Sequence, residues 1–194
     1  MLSRERRLFF LRWLNNPLRV GVPVPSSLGL GRAMAAQLSS ILPNEYVVEL
    51  GPGTGVVTRA LLTAGISEKQ LIVIEREPGF IDKLKHDFPH VTILQGDARN
   101  MSELLHQRGI KQIAAVISSL PLLSMPDVVR HAIVHKAFDI IKPNGLFIQY
   151  TYGLLSPVPV SHQRSIGIHG RIAKRVWRNF PPARVWSYST EKAV

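Results

Sequence analysis

The segment Glu49-Leu50-Gly51-Pro52-Gly53-Thr54-Gly55 joins a short apolar strand, predicted over residues 46–50, to a helix predicted over residues 54–64. Glycines at such a strand-to-helix turn permit positive φ angles and let the backbone come close to a ligand. A tight turn that binds nothing has the same composition. The segment therefore indicates a ligand site only in combination with residues further along the chain.

Alternating strands and helices follow this turn. Further strands are predicted over residues 70–75, 91–94, 112–118 and 145–152, and further helices over residues 78–88, 101–108 and 126–141. Strands that are apolar on both faces and separated by helices indicate a parallel sheet with helical crossovers. Two more strands, residues 171–178 and 183–189, have no helix between them and predict a hairpin. The expected fold is an α/β, Rossmann-like sheet of seven strands, mostly parallel and closing on an antiparallel hairpin.

The chain before the sheet predicts two helices and a linker. A first helix over residues 4–15 ends at Asn16-Pro17, and a Pro/Gly-rich linker covers residues 17–25. A second helix, capped by Ser26 or Ser27, is expected to reach about Leu42, because Pro43-Asn44 follows. We divide the chain into an N-terminal helix with its linker, residues 1–25, and one domain, residues 26–194.

The composition narrows the classes of function. Lys and Arg number 24 against 13 Asp and Glu, a net charge of +11, which favours polyanionic partners such as nucleic acid or an anionic membrane. The chain has no cysteine, which excludes disulfides, thiolate metal sites and cysteine nucleophiles. No apolar run approaches the roughly 20 residues of a membrane span.

Two acidic residues strengthen the case for a ligand at the glycine turn. Glu75 ends the second predicted strand, where a carboxylate can accept hydrogen bonds from both hydroxyls of a ribose. Asp97 follows the third strand in Gln95-Gly96-Asp97-Ala98, placed to accept from an adenine amino group. All three features follow successive strands, at the carboxyl edge where open α/β sheets bind ligands.

The glycine segment resembles motif I of the class I S-adenosylmethionine-dependent methyltransferases more closely than the G-x-G-x-x-G of NAD enzymes. The resemblance implies S-adenosylmethionine as cofactor and S-adenosylhomocysteine as product. It also implies that the acid at the Glu49 position orients the methionine end of the cofactor. The expected cofactor-binding residues are Glu49, Gly51, Pro52, Gly53, Gly55, Glu75, Arg76, Asp97, Ala98 and Ser118.

The end of the fourth strand concerns the methyl acceptor. It reads Ser118-Ser119-Leu120-Pro121-Leu122, where amino-directed methyltransferases carry Asn/Asp-Pro-Pro-Tyr or Asn-Leu-Pro-Tyr. Ser119 replaces the Asn, and Leu122 replaces the Tyr on which a base would stack. Such stacking contributes about 1–3 kcal/mol, so its loss argues against an adenine target.

The wider sequence resembles the bacterial phospholipid N-methyltransferases, which convert phosphatidylethanolamine stepwise towards phosphatidylcholine. The likeness covers nearly the whole chain and includes the acceptor segment and Phe147-Ile148-Gln149-Tyr150-Thr151-Tyr152-Gly153. It also includes the aromatic N-terminal segment ending Trp13-Leu14-Asn15-Asn16-Pro17 and, after the linker, Val24-Pro25-Ser26-Ser27. The implied substrates are phosphatidylethanolamine and its mono- and dimethylated forms.

Three residues are the candidates for handling the acceptor amine. The Ser119 hydroxyl and the Leu120 carbonyl are expected to accept hydrogen bonds from it, and Tyr152 to contact the methylammonium charge by a cation–π interaction. Tyr150 shares a strand face with Tyr152, so only a break in the strand would put both in the site. The lipid phosphate, Tyr152 and water remain alternative proton acceptors.

The N-terminal helix suggests where the reaction takes place. Phe9, Phe10, Leu11, Trp13 and Leu14 share an arc opposite Arg12 and the asparagines, a pattern typical of a helix in the membrane interface. A helix that docks on its own domain is the alternative. With the family resemblance, this predicts an enzyme of the cytoplasm, peripheral at the inner membrane face and bound to anionic phospholipid.

Other interpretations stay open at this point. His131 and His135 are spaced i, i+4, but no third ligand is evident, so no metal is expected. His162 and His169 are weaker candidates for contact with the head group. The basic run is a weaker candidate for contact with lipid phosphates or nucleic acid, and contains Arg171, Lys174, Arg175 and Arg178. An enzyme resembling rRNA adenine N6-methyltransferases is the alternative function, with nucleic acid the less favoured partner. A non-enzymatic cofactor- or membrane-binding protein is the third.

Overall fold

The structure is a computed structural model that describes residues 26–38, 41–177 and 182–190. The predicted N-terminal helix and the linker lie outside the described residues, and the division at residue 25 stays a prediction. The described chain forms these helices and strands: α1 (Ser26–Ala35), β1 (Tyr46–Leu50), α2 (Val56–Thr63), β2 (Leu71–Glu75), α3 (Pro78–Asp87), β3 (Thr92–Gln95), α4 (Met101–His106), β4 (Ile113–Ser118), α5 (Asp127–Ile140), β5 (Ile141–Thr151), α6 (Val160–Ser165), β6 (His169–Val176) and β7 (Ala183–Ser189).

The strands form one seven-stranded sheet in the order β3-β2-β1-β4-β5-β7-β6. The first five strands along the chain pair in parallel, and β7 pairs antiparallel with both β5 and β6. The predicted seven-stranded α/β fold with a closing hairpin is therefore confirmed. The strand order reverses between β1 and β4, and such a switch point is where open α/β sheets bind ligands.

Both faces of the sheet are buried. One face packs against α4 and α5 through residues such as Phe147, Ile133 and Tyr188. The other packs against α1, α2 and α3 through residues such as Met34, Leu61 and Leu84. Burial on both faces explains why the parallel strands are nearly continuous apolar runs. It leaves the carboxyl ends of the strands as the place for polar side chains.

Helix α1 ends earlier than the sequence predicted. Its last regular residue is Ala35, and the segment preceding β1 at Ile41 and Leu42 is not helical. The Gln37 N–H donates to Met34 O and the Leu38 N–H to Ala35 O, so the helix tightens into shorter i→i+3 turns. The sequence analysis used Pro43 to predict the end of this helix, but the regular helix ends earlier, at Ala35.

The six-residue helix α6 was missed by the sequence analysis. It is only six residues long, and its buried polar residue, Gln163, fixes it through hydrogen bonds to the segments on either side of it. The Gln163 amide donates to Val158 O at 2.8 Å and accepts from the Gly170 N–H at 2.9 Å. Among the described helices, none is long and apolar enough to cross a membrane.

Candidate active site

The glycine turn between β1 and α2 has the backbone geometry that a ligand-binding turn needs. Gly51, Gly53 and Gly55 have φ angles of 64°, 55° and 79°, a region that side-chain-bearing residues rarely adopt. A Cβ atom on Gly51 would lie 2.4 Å from Leu120 Cδ2, whereas a Cβ atom on Gly53 would meet nothing within 4 Å. The turn therefore packs against the β4 loop at Gly51 and is open at Gly53.

Glu75 is joined to the turn by its carboxylate. Oε2 accepts from the Gly53 N–H at 3.1 Å, and Oε1 accepts from the N–H groups of Arg76 at 2.7 Å and Glu77 at 3.0 Å. Three backbone donors fix the carboxylate beside the open glycine. The Arg76 side chain is exposed and lies 3.5 Å from a Glu77 carboxylate oxygen. Glu75 thus lies beside the open glycine at the end of β2, and the charge of the Arg76 side chain reaches Asp97, whose pKa it helps to lower.

Glu49 is a fully buried acid at the end of β1. Thr58 Oγ1 donates to its Oε2 at 2.6 Å, while Oε1 has no hydrogen-bond partner within the described chain. Burial raises the pKa of Glu49 to about 8, and the bond from Thr58 only partly offsets that effect. A buried carboxyl with one unpartnered oxygen is suited to an ammonium or amide donor from a ligand.

Asp97 lies in the loop after β3 but is already paired. Its carboxylate accepts from the Arg99 N–H at 2.8 Å and from the Arg99 guanidinium at 2.9 and 2.8 Å, and this pairing lowers the pKa of Asp97. Ala98 begins the short 3₁₀ turn that follows, Ala98–Asn100. The Gly96 N–H bonds to Glu75 O at 2.9 Å, which places this loop beside the ribose acid. Arg99 was not singled out from sequence, because a surface arginine two residues from an acid is common.

The segment after β4 crosses next to the glycine turn. The Ser119 N–H donates to Leu50 O at 2.9 Å, and the Ser118 hydroxyl accepts a long bond of 3.4 Å from the Leu120 N–H. Ser119 Oγ is buried and has no partner in the described ranges. The Leu120 carbonyl accepts two bonds, from Gln149 Nε2 at 3.0 Å and from the Leu122 N–H at 2.9 Å. The free acceptor at this segment is therefore the Ser119 hydroxyl, because the Leu120 carbonyl is already saturated.

Gln149 is a buried side chain near the end of β5. The sequence analysis did not select it as a site residue. Its Nε2 holds both Leu120 O and Tyr150 O, and its Oε1 is buried without a partner among the residues described. It pairs in register with Ser118, so the ends of β4 and β5 adjoin. A glutamine inside an otherwise apolar strand was the signal that could have identified it.

The two tyrosines at the end of β5 lie on the same face, as the strand period predicted. Their rings contact edge to face with centroids 5.6 Å apart, and both pack against the α1–α2 side of the core. Burial raises the pKa of Tyr150, with a further contribution from Tyr152 and Glu49. Tyr150 is thus within electrostatic reach of the buried acid, and it stays protonated throughout the physiological range.

The histidines form a separate group between α5 and α6. The His131 ring lies edge to face with His162 at 4.3 Å and 6.2 Å from His135. The His162 Nδ1 is buried without a partner in the described chain, and burial lowers the pKa of His162. No group of three His, Asp or Glu side chains in residues 26–38, 41–177 and 182–190 is arranged to hold a metal ion.

The strand order, the glycine turn at the switch point and the acids after β2 and β3 define a class I S-adenosylmethionine-dependent methyltransferase. The family model "Methyltransferase domain" matches residues 47–145, about half of the chain, and the chain belongs to that family. S-adenosylmethionine is accordingly its cofactor. The buried, unpartnered Glu49 Oε1 and the open space at Gly53 fit such a group.

Curated relatives divide into two kinds. The chain is 30% identical to an ornithine lipid N-methyltransferase of Singulisphaera acidiphila, over 91% of both chains. It is 25% identical to the ribosomal RNA small subunit methyltransferase A of Chlorobium chlorochromatii, but over 51% of this chain and 36% of that protein. The lipid enzyme thus matches the chain from end to end, and the RNA enzyme matches about half of it.

Solved structures of other methyltransferases share the fold. A 1,6-didemethyltoxoflavin-N1-methyltransferase from Burkholderia thailandensis, solved with S-adenosylhomocysteine bound, aligns with a TM-score of 0.66 over 98% of this chain and 92% of its own, at 12% identity. A TehB-like S-adenosylmethionine-dependent methyltransferase from Corynebacterium glutamicum aligns with a TM-score of 0.61 over 97% of this chain and all of its own, at 13% identity. At such identities the likeness shows the fold alone.

Proposed function

We propose that this chain transfers methyl groups to the amine of a membrane lipid of the phosphatidylethanolamine type and to its mono- and dimethylated forms. The product series leads towards phosphatidylcholine, and the reaction takes place at the cytoplasmic face of an anionic membrane. The observation that carries the proposal is the buried Ser119 hydroxyl, an unsatisfied acceptor beside the glycine turn. The lipid N-methyltransferase that matches the chain from end to end supports it.

The site lacks a platform for a nucleobase at the position after Pro121. Leu122 is buried in the core against the α5 side of the sheet, so its side chain is directed away from any bound acceptor. An adenine target would have no ring to stack on at that position, and a small aliphatic amine needs none. This supports a lipid amine over an RNA base.

The cofactor-binding roles are assigned to the first half of the site. When bound, S-adenosylmethionine supplies an electrophilic methyl group on a sulfonium sulfur. In this proposal Glu49 accepts from the ammonium of its methionine end, Glu75 from its ribose and Asp97 from its adenine. Ser118, Ala98 and the backbone of Gly51, Pro52, Gly53, Gly55 and Arg76 complete the proposed contacts.

The acceptor side is assigned to Ser119, with Gln149 and Leu120 as its support. Ser119 Oγ accepts a hydrogen bond from the amine and thereby aims its lone pair, a positioning effect rather than proton removal. Gln149 fixes the Leu120 carbonyl and thus the path of the chain next to Ser119. Tyr152 is proposed to face the growing positive charge, an interaction of about 0.5–2 kcal/mol. The lipid phosphate, Tyr152 and water remain the alternative proton acceptors.

Ornithine lipid is a second candidate acceptor, favoured by the relative that methylates it. The deciding experiment offers radiolabelled S-adenosylmethionine to the protein with anionic vesicles containing phosphatidylethanolamine, anionic vesicles containing ornithine lipid, or ribosomal RNA. Label in phosphatidylethanolamine is expected. Label in ornithine lipid alone would move the proposal to that substrate, and label in RNA alone would overturn it.

The role of Ser119 is tested by the variant Ser119→Ala. Its hydroxyl has no partner to lose among the described residues, so the melting temperature should be unchanged or slightly higher. Loss of a bond to the amine should lower kcat about 10-fold or more, since bonds to charged groups contribute about 1.5–3 kcal/mol. The dissociation constant for S-adenosylmethionine should stay the same.

The matched control is Ser67→Ala, an exposed serine in the turn before β2 at the opposite edge of the sheet. Its turnover should equal that of the wild type. Full activity of Ser119→Ala would remove Ser119 from the acceptor site.

A further inference from the structure

The exposed apolar side chains of the described residues are concentrated at one edge of the sheet. Six of the eight large ones follow the carboxyl end of a strand, and the other two are Leu28 and Leu42. We call these six residues the edge surface: Leu123, Val128, Leu154, Leu155, Val160 and Trp177. Single exposed apolar residues are ordinary, but a group at one edge indicates an interaction surface.

The edge surface adjoins the segments that carry the proposed acceptor residues. Leu123 lies four residues after Ser119, and Leu154 lies two after Tyr152. The two loops are in contact, because a Cβ atom on Gly153 would lie 3.0 Å from Leu123 Cδ1. Leu154 and Leu155 are each 76% exposed. The acceptor site thus opens between apolar side chains that face solvent.

The loop that carries Leu154 and Leu155 is fixed by hydrogen bonds to β5 and β7. The Gly153 N–H donates to Thr151 Oγ1 at 2.9 Å, and Arg184 Nη1 donates to Gly153 O at 3.0 Å. In the next turn, Ser156 Oγ lies in hydrogen-bond contact with Tyr188 Oη at 2.8 Å. The exposure of the leucines is therefore a property of an anchored loop.

Basic residues accompany the apolar ones on this side of the molecule. Arg184 on β7 pairs in register with Thr151 of β5 and with Arg175 of β6, so two arginines continue the edge across the hairpin. Lys174 and Arg175 are exposed, and Trp177, two residues after Arg175, is 68% exposed. Leucine, tryptophan and arginine together are the composition of surfaces that enter a lipid head-group layer.

We propose that the edge surface docks on an anionic lipid bilayer, with Leu154 and Leu155 below the head groups and Arg175 among the phosphates. This membrane contact is separate from the predicted N-terminal helix. Its purpose, bringing a lipid amine to Ser119, rests on the proposed function, whereas the docking itself rests on exposure, charge and location. The net charge of +11 favours an anionic bilayer over a neutral one.

Vesicle binding of the full chain tests the proposal. Leu154→Gln and Leu155→Gln, singly and together, are compared with the wild type on vesicles of phosphatidylglycerol and phosphatidylcholine. The double variant should bind at least about 10-fold more weakly, because each substitution removes apolar surface that the lipid would otherwise bury. Leu42→Gln is the control, since Leu42 is 54% exposed and precedes β1 at the opposite edge. Equal binding by the double variant, or an equal loss in the control, would overturn the proposal.

A fluorescent label on the edge surface gives a second measurement. It reports on position 155 itself, even if another part of the chain also binds the membrane. The chain has no cysteine, so Leu155→Cys and Leu42→Cys each accept one environment-sensitive fluorophore. The label at position 155 should shift to the blue on anionic vesicles, and the label at position 42 should not. An unshifted label at position 155 on vesicles that bind the protein would contradict the docking.

Activity separates this proposal from the proposed function. The Leu154→Gln/Leu155→Gln variant should lose turnover on vesicles and keep it on a monomeric, short-chain phosphatidylethanolamine. A wild-type protein that binds vesicles through position 155 but labels no lipid would leave the docking standing and overturn the lipid-amine function.

Discussion

The two halves of the site differ in how their polar groups are satisfied. On the β1–β3 side, Glu75 accepts three backbone N–H groups and Asp97 is paired with Arg99, while one oxygen of Glu49 is buried without a partner in the described residues. On the β4–β5 side, Ser119 Oγ and Gln149 Oε1 are buried without partners in the described residues. The first half is set by backbone geometry and is ready for a constant ligand. The second half depends on side chains and leaves its acceptors for the substrate.

The halves also differ in charge. The acids Glu75, Glu77 and Asp97 follow β2 and β3, whereas Arg175 and Arg184 lie at the β6–β7 end of the same edge. This charge distribution favours the cationic cofactor at one end of the edge and, under the proposed function, the phosphate of a lipid at the other. A single change at the junction should disturb both halves, and a change within either half should disturb only that one.

The largest effect is expected at the junction. Gly51→Ala places a methyl group 2.4 Å from Leu120 Cδ2 at a φ of 64°, so the Leu120 side chain must shift and the turn is strained. We expect kcat/KM to fall about 100-fold, because displacements of about 1 Å in a site have effects of that size. Calorimetric cofactor titration and lipid turnover should both show the loss.

Gly109→Ala is the control for backbone strain alone. Its φ is 65° and a Cβ atom there meets nothing within 4 Å. Both variants should lose about 1–2 kcal/mol of stability through the left-handed backbone. Only Gly51→Ala should lose activity, and a normal kcat/KM in that variant would show that the two halves are not coupled through Leu120.

A smaller effect, confined to cofactor binding, is expected for Glu75→Gln. The amide retains an oxygen for the turn but loses the charge, so the dissociation constant for S-adenosylmethionine should rise about 10-fold or more. At saturating cofactor, kcat should remain within a factor of about 3, because the acceptor half is untouched. Glu77→Gln, an exposed neighbour, should bind like the wild type. A fall in kcat without a change in cofactor binding would assign Glu75 to the acceptor half.

The change that needs no substitution is a pH dependence of cofactor binding. Because burial raises the pKa of Glu49 to about 8, the free chain holds this carboxyl protonated at neutral pH. A cofactor ammonium favours the ionised form, so binding must expel the proton and affinity should rise with pH between about 6 and 7.5. The slope should be at most about tenfold per pH unit.

Glu49→Gln should bind more weakly and remove this slope, since its side chain does not titrate. The range stops below the pKa of about 7.7–8.0 at which an α-amino group itself loses its charge. An unchanged slope in the variant would assign the titration to another group.

The sequence was most informative where chemistry depends on neighbours in the chain. The parallel sheet was predicted from the alternation of apolar strands and helices, and the cofactor from the resemblance of residues 49–55 to motif I of the methyltransferases. The interpretation of Tyr150 and Tyr152 as sharing one face followed from the strand period and is confirmed. The roles of Glu49, Ser119, Leu120 and Tyr152 stay predictions.

The sequence was least informative where partners come from distant strands. Gln149 contacts the Leu120 carbonyl across 29 positions, and the saturation of that carbonyl is visible only when β4 and β5 are side by side. Similarly, the edge surface combines residues from three separate segments of the chain, which follow β4, β5 and β6. No single one of these segments has an amphipathic period. Local pattern reveals neither, because both arise from the order of strands in the sheet.

Strand β7 lies between β5 and β6, although it is the last of the seven along the chain. During synthesis, the edges of β5 and β6 that pair with β7 therefore stay unpaired until residues 183–189 have left the ribosome. Unpaired edges of apolar strands are sites of aggregation. Expression at low temperature or with chaperones that hold nascent chains should thus improve the yield of this protein, and fragments that stop before residue 183 should be insoluble.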